Sequence, residues 1–301
     1  MTEPVQIFLI VLAIILFAPI LLNKLKIPHI IGMIVAGVAV GPYGLNILAD
    51  DSSFAVFGQV GLLYLMFLAG LEIDMYHLRL NLRRGLFFGF LALGVLTSVY
   101  LLKLDWITSM LLGAMYASHT LLSYPVAARL GVTKAPAVLI AIVGTIIAVI
   151  GALLVLGATV SVAREGYFNV VEILLLAVRL VVWAAVILYA YPRVTRWFFK
   201  KYPDKVLQYV FVLVLVFLAA TTARAIGLEG VLGAFFAGLV LNRYVPVASP
   251  LMSSIEFVGN ALFIPYFLIS VGMMINVRLL ADTDTLAVSA VMIAVALAGK
   301  W

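Results

Sequence analysis

Long apolar stretches, separated by short polar connections, make up nearly the whole pattern of this chain. A helix of about 17–25 apolar residues is long enough to cross the hydrocarbon core of a bilayer. The longest polar connection, residues 191–205, is too short to form a soluble domain. The pattern therefore predicts an all-α polytopic membrane protein of about eleven spans, at residues 5–22, 30–48, 54–71, 86–102, 107–128, 135–161, 170–190, 206–226, 228–241, 255–275 and 285–301.

Composition and the placement of charge agree with this pattern. Hydrophobic residues make up 66% of the sequence and charged residues 11%, against about 25% charged in soluble domains. Most of the 19 Lys and Arg residues fall in odd-numbered loops, which the positive-inside rule assigns to the cytoplasm, so the N-terminus is predicted outside. Topology thus accounts for the basic charge, and we expect no nucleic-acid partner. The histidines are scattered and cysteine is absent, so no metal site is predicted.

Two segments in the second and third spans recur near the end of the chain. Residues 31–38 (IGMIVAGV) share Gly, Ala and Gly at identical offsets with residues 232–239 (LGAFFAGL), and residues 70–74 (GLEID) resemble residues 272–276 (GMMIN). Small residues are common at any helix–helix contact, so one such match could arise by chance. Two matches in consecutive spans are harder to explain in this way. The matched spans are an odd number of crossings apart, so the two copies run in opposite directions. Inverted repeats are typical of secondary transporters, whose substrate site lies near mid-membrane.

The fifth and sixth predicted spans carry polar residues in their interior. Residues 118–125 (SHTLLSYP) place hydroxyls, a histidine and a proline at membrane depth, where freed backbone groups find no water unless they line a cavity. We therefore predict discontinuous helices and a transport site, with candidate residues Ser118, His119, Thr120, Ser123 and Thr145. The alternatives are that the hydroxyls bond to carbonyls one turn back, and that His119 is a hydrogen-bonded packing residue rather than a proton carrier.

Four stretches of the sequence resemble the monovalent cation:proton antiporter-2 family, the Kef- and Nap-type sodium or potassium/proton exchangers. They lie at residues 27–42 (IPHIIG, AG and GP), 67–72 (FLAGLE), 230–242 (GVLGAFFAGLVLN) and 267–273 (FLISVGM). The resemblance implies an inverted-repeat antiporter fold of about 13 spans, of which about eleven are present, so the chain is expected to be truncated.

The same resemblance implies a division of the chain into functional parts. A scaffold of spans one to three and eight to ten would mediate dimerisation, and a core domain of spans four to six would move against it. Span seven would link the two halves. The corresponding residues are 1–85 and 206–284 for the scaffold, 86–161 for the core, 162–205 for the linker, and 285–301 for the start of a second core unit.

By the same resemblance, the sixth span should hold an aspartate that binds cation and proton alternately. Aligning residues 144–154 with the family pattern puts Val149 at this aspartate and Ala148 at the residue before it. Neither side chain ionises, so the group that couples the two fluxes is absent. Lys300 falls where electrogenic members keep a lysine that pairs with the aspartate. The alternative is a lysine that extends towards the membrane surface from the end of its helix.

The resemblance implies a secondary transporter that exchanges Na⁺ or K⁺ for protons across a bacterial inner membrane, as a homodimer. Because Val149 replaces the acid, two alternatives stay open: a non-transporting or regulatory relative, and a uniporter of another small solute. The sequence has no nucleophile–base pair and no phosphate-binding loop with its lysine, so we expect neither an enzyme nor a cofactor. The expected partners are a monovalent cation, the proton and the lipid bilayer.

Overall fold

A computed structural model describes residues 4–23, 29–48, 52–72, 99, 105–118, 135, 170–246, 249–277, 279 and 282–298 of this chain. Every regular element within these residues is helical. A π-helical segment, Gly259–Phe263, joins the eighth helix to the ninth. In chain order the helices are α1 (Pro4–Asn23), α2 (His29–Val40), α3 (Ser52–Glu72), α4 (Trp106–Ser118), α5 (Val170–Lys201), α6 (Lys205–Ala225), α7 (Gly230–Leu241), α8 (Pro250–Val258), α9 (Ile264–Met273) and α10 (Thr283–Ala298).

Among the described residues, five helical segments are long and apolar enough to cross a membrane: Val5–Leu22, Phe54–Leu71, Ala177–Lys201, Lys205–Ala225 and Pro250–Met273. The first two coincide with predicted spans. The chain is therefore an integral membrane protein with several apolar helices. Apart from Val99 and Ala135, the predicted fourth and sixth spans lie outside the described residues.

The chain forms two compact units. In the first, Met1–Leu68 with Pro246–Leu286, α2 packs against both α1 and α9. In the second, Ala69–Val245 with Ala287–Trp301, α5, α6 and α7 pack against one another. Ten of the twelve residues of α7 are buried, which suits a helix that is apolar on all sides.

The second span is shorter than the hydrophobic pattern predicts. The pattern places it at residues 30–48, whereas α2 ends at Val40. Residues 41–48 fold back on its last turn, where the amides of Leu45 and Leu48 donate to the carbonyls of Ala39 and Val40 over 2.8 and 2.9 Å. The cause is Pro42, which has no amide hydrogen and disfavours helical backbone in the residue before it. With 12 residues, α2 is too short to cross a bilayer by itself.

The seventh span is longer than the pattern predicts. A polar connection is predicted over residues 191–205, but α5 continues to Lys201 over 32 residues, so this prediction is wrong. Contacts with α6 stabilise the added turns. The Tyr191 hydroxyl donates to the Leu215 carbonyl over 2.9 Å, and the Phe198 ring stacks on Phe211 with centroids 4.0 Å apart. This segment carries charged residues on one helix face and apolar residues on the other. The hydrophobic pattern averages the two faces and therefore predicts a polar connection.

The remaining described spans differ from prediction mainly at their ends. The helices α6, α7 and α10 lie within a few residues of the predicted spans 206–226, 228–241 and 285–301. The tenth span begins earlier than predicted, at Pro250, because the Ser249 hydroxyl caps its first turn by accepting from the Met252 amide over 3.1 Å.

Candidate functional site

Most of the predicted transport-site residues lie outside the described residues: His119, Thr120, Ser123, Thr145, Ala148, Val149 and Lys300. Only Ser118 is reached, as the last residue of α4. This helix begins after Asp105, an exposed residue whose carboxylate accepts from the amide and hydroxyl of Thr108 over 3.1 and 2.6 Å. An exposed capping carboxylate belongs near the membrane surface. From there α4 rises about 18 Å along its axis to Ser118.

In the first unit, α2 and α9 cross so closely that each helix presents a glycine to the backbone of the other. A Cβ added to Gly272 would lie well inside 3.0 Å of the Ile34 carbonyl oxygen, and one added to Gly37 would lie equally close to the Ile269 carbonyl oxygen. Real Cβ atoms do not approach backbone atoms this closely. The crossing therefore requires glycine on both helices, as small-residue contacts in membranes do.

In the second unit, the last turn of α3 meets α7 through Gly70. A Cβ on Gly70 would overlap the Phe235 carbonyl oxygen and lie 3.1 Å from the Cα of Gly238. One residue further along, the Leu71 carbonyl accepts a hydrogen bond from the side-chain amide of Asn242. The two helices are thus held by a close backbone approach next to a polar bond.

These two contacts occupy corresponding positions in the sequence repeat. In the alignment of the repeat, Ile34 and Gly37 correspond to Phe235 and Gly238, and Gly70 corresponds to Gly272. In each unit, therefore, the glycine of the second motif lies on the same carbonyl of the first motif. The first motif of each copy packs against the second motif of the other copy.

The neighbouring positions match as well. The position of Gly41 in the first copy corresponds to Asn242 in the second, and Met273 corresponds to Leu71. A Cβ on Gly41 would lie 2.8 Å from the Cα of Met273, while Asn242 bonds to the Leu71 carbonyl. The same pair of positions is therefore in contact in both units, by packing in one and by a hydrogen bond in the other.

The π-helical segment of the tenth span lies where α3 packs against it. Gly61 of α3 lies on the Phe263 carbonyl oxygen, and Gly259 lies on the ring of Tyr64. The Tyr64 side chain is fully buried, and its hydroxyl donates to the Ile255 carbonyl over 2.7 Å. Short π-helical segments inside α-helices are frequent at functional sites. The hydrophobic pattern of the sequence does not predict this feature.

Within the part of the chain that the structure describes, no group of three or more His, Cys, Asp or Glu side chains could hold a metal ion. What the described residues do form is a set of close helix crossings and of hydrogen bonds to backbone carbonyls. These contacts fix the positions of the ends of spans two, three, nine and ten.

Comparison with known proteins gives the family. The sequence model described as sodium/hydrogen exchanger, transmembrane, matches residues 12–300. The chain belongs to this sodium/hydrogen exchanger family. The match covers both glycine motifs and the predicted fifth and sixth spans. Its relatives are transporters, not enzymes. The narrower resemblance to the antiporter-2 family remains a prediction.

Three curated relatives illustrate the similarity. The chain is 37% identical over 282 residues to the Na(+)/H(+) antiporter NhaS5 of Synechocystis sp., covering 91% of this chain but 40% of that protein. It is 30% identical over 308 residues to the probable Na(+)/H(+) antiporter 3 of Methanocaldococcus jannaschii, covering 98% and 78%. It is 24% identical over 267 residues to the Na(+)/H(+)-K(+) antiporter GerN of Bacillus cereus, covering 84% and 67%. The chain therefore spans less than half of the Synechocystis relative.

Proposed function

We propose that this chain is a form of a secondary transporter that exchanges a monovalent cation, Na⁺ or K⁺, for protons, and that exchange requires the acid that Val149 replaces. The observation that carries the proposal is the family match over residues 12–300. The names of the relatives support it: those from Synechocystis and M. jannaschii refer to Na⁺ and H⁺, and that from B. cereus adds K⁺. The location that we propose is a bacterial inner membrane, with the N-terminus outside and the protein a homodimer.

We further propose that the membrane fold is an inverted repeat. The matching motifs support this, since they recur an odd number of spans apart and would therefore run in opposite directions. The matching contacts support it independently: Gly272 meets the Ile34 carbonyl as Gly70 meets the Phe235 carbonyl. An inverted repeat accounts for both, because equivalent positions then acquire equivalent neighbours.

Val149 stands at the position where the resemblance to the antiporter-2 family implies an ion-binding aspartate. A buried carboxylate can bind either a proton or a cation, and this competition couples the two fluxes. A valine can do neither. We propose that exchange in this fold depends on an acid at position 149, and that this sequence has lost the coupling group.

The test is cation flux in proteoliposomes that contain the full chain, its Val149→Asp variant or its Val149→Asn variant. Asparagine matches aspartate in size and lacks its charge. We expect Val149→Asp to give Na⁺ or K⁺ uptake that depends on an imposed pH gradient, well above the Val149→Asn and empty-vesicle rates. Equal rates for the two variants would reject the role of the acid.

A second candidate function is favoured by the same residue. With Val149 in place, the chain fits a non-transporting or regulatory relative of the exchangers. This alternative predicts that the unaltered protein shows no flux of Na⁺, K⁺ or Li⁺ at any pH gradient. Flux by the unaltered protein would exclude it, and would require another coupling group in the chain.

A further inference from the structure

A groove in the second unit lies between α5 and α6. Its volume is about 610 Å³, and its walls run from Val178 to Val194 on α5 and from Leu215 on α6 to Ile226, just past the end of that helix. At its floor, Trp183 and Ile187 are only 7% and 2% exposed. At its rim, valines of α5 are more than half exposed. Apolar side chains thus line a groove that opens sideways from the helix pair.

The polar atoms inside the groove already have partners. The Trp183 indole N–H donates to the Thr222 hydroxyl over 3.1 Å, and that hydroxyl donates to the Leu218 carbonyl over 2.8 Å. The Tyr191 hydroxyl donates to the Leu215 carbonyl. The described residues of the floor therefore offer no free hydrogen-bonding group, and the floor suits an occupant whose body is a hydrocarbon.

The depth of the groove follows from the length of α6. This helix has 21 residues and rises about 31 Å, close to the hydrocarbon thickness of about 30 Å. Ile226, just past its last turn, lines the same end of the groove as Arg179, so this end lies at a membrane surface. Tyr191 bonds to Leu215, which is the middle residue of α6 and lies near the bilayer centre. The groove therefore extends over one leaflet of the membrane.

Among the described residues that line the groove, Arg179 alone is charged. Its side chain is exposed, and the structure gives it no ion pair or hydrogen bond with any other described residue. A guanidinium at the edge of the hydrocarbon region is stabilised by an anion, and its planar donors suit a phosphate. The groove is thus apolar over the depth of one leaflet and has a cation at its end near the membrane surface.

We propose that this groove binds one acyl chain of an acidic phospholipid whose phosphate pairs with the guanidinium of Arg179. Three observations identify this occupant: the cation at one end, the depth of one leaflet, and a floor whose described residues leave no polar atom without a partner. The inference goes beyond the proposed exchange function, because it concerns a lipid site on the linker helix and is tested by binding alone.

The test is lipid-induced stabilisation of the purified full chain in an uncharged detergent. The probes are phosphatidylglycerol and phosphatidylcholine with identical acyl chains, together with glycerophosphoglycerol, which has the headgroup phosphate but no chains. We expect phosphatidylglycerol to raise the unfolding temperature at lower concentrations than phosphatidylcholine, and the chainless headgroup to have no effect. Equal responses to the two lipids, or a response to the headgroup alone, would overturn the proposal.

Substitutions in the protein locate the effect. We expect Arg179→Gln to raise the half-saturating phosphatidylglycerol concentration about fivefold, since one basic residue near an anionic surface contributes about 1 kcal/mol. Arg179→Lys keeps the charge and should retain most of the preference. Arg224→Gln removes an exposed cation from the last turn of α6, outside the groove, and should leave the concentration unchanged. An equal effect of Arg224→Gln would show general charge attraction and overturn the site.

The apolar part of the groove has its own pair of variants. Val186→Trp fills the groove from its exposed rim, whereas Ala185→Trp adds the same ring at an exposed neighbouring position that does not line it. We expect only Val186→Trp to abolish stabilisation by phosphatidylglycerol. Identical behaviour of the two variants would mean that another part of this chain or a second copy covers the groove, and that outcome would also overturn the proposal.

Discussion

Gly272 in α9 lies directly against the backbone carbonyl of Ile34 in α2, at a distance that leaves no room for a side chain. The same relationship recurs between Gly70 and Phe235, which correspond in the repeat to Gly272 and Ile34. In each unit a glycine from one span allows another span to approach within van der Waals contact of its backbone. This repeated contact links the sequence motif to the packing of the fold.

Adding one methyl group at this crossing should destabilise the protein. In Gly272→Ala the new Cβ would overlap the Ile34 carbonyl oxygen, and a backbone atom cannot move aside as a flexible side chain can. We expect a loss of about 1–3 kcal/mol, as for other overpacked interiors. The measurement is the unfolding transition of the purified protein in detergent.

Two other substitutions serve for comparison: a control on an exposed helix face, and the equivalent substitution in the other copy of the repeat. Ala185→Val adds apolar volume on an exposed face of α5 and should change stability little. Gly70→Ala should cost about as much as Gly272→Ala, because its Cβ would meet the Phe235 carbonyl in the same way. If Gly272→Ala were as stable as Ala185→Val, the close crossing would be contradicted.

Removing the Tyr64 hydroxyl should weaken the packing around the π-helical segment. In Tyr64→Phe the Ile255 carbonyl loses a buried bond of 2.7 Å, while the ring can still stack on Phe263. The expected loss is about 0.5–1.5 kcal/mol. The matched control is Tyr43→Phe, because Tyr43 is 42% exposed. Equal stability of the two variants would show that the hydroxyl bond does not contribute.

Asp204 should stabilise the start of α6. Its carboxylate accepts from the Leu207 amide over 2.9 Å and caps the helix directly after the three-residue turn 202–204. We expect Asp204→Ala to cost about 1 kcal/mol and Asp204→Asn to cost much less, because asparagine also caps helices well. Thermal unfolding of both variants measures the difference. A loss of similar size in both would assign the effect to charge instead of capping.

The extension of α5 can be tested by a double-mutant cycle between Phe198 and Phe211. Their rings stack at 4.0 Å with an interplanar angle of 5°, so truncating both to alanine should show a coupling of about 0.5–1.5 kcal/mol. The control cycle pairs Phe211 with Tyr189, which is 64% exposed and lies under the Arg193 guanidinium. No coupling in the first cycle would favour a polar loop over residues 191–205.

The sequence predicts the described spans well where a long apolar run is bounded by polar residues. Residues 5–22 and 54–71 are such runs, and helices occupy both. The sequence predicts the wrong span boundary where one helix has charged residues on one face and buried residues on the other. Arg193, Arg196 and Lys200 face outward on the same turns whose other side carries Phe198, so the segment looks polar although it packs on α6.

Of the remaining features, one is local in sequence and two depend on contacts distant in sequence. The end of α2 at Val40 could have been predicted from Pro42, since proline seldom continues a helix. The π-helical segment at residues 259–263 could not, because its neighbours Gly61 and Tyr64 lie almost two hundred residues earlier. The pairing of Gly272 with Ile34 is similar: the motifs predict equivalent positions, and the structure shows which positions meet.

The measurement that tests the inverted repeat most directly is thiol labelling of single-cysteine variants, which needs no background removal because the chain contains no cysteine. Asn46→Cys lies after α2 and Arg243→Cys lies after α7, at exposed and equivalent ends of the two copies. We predict that a membrane-impermeant reagent labels Asn46→Cys in intact cells and labels Arg243→Cys only after permeabilisation. Labelling of both variants from the same side of the membrane would contradict the inverted repeat.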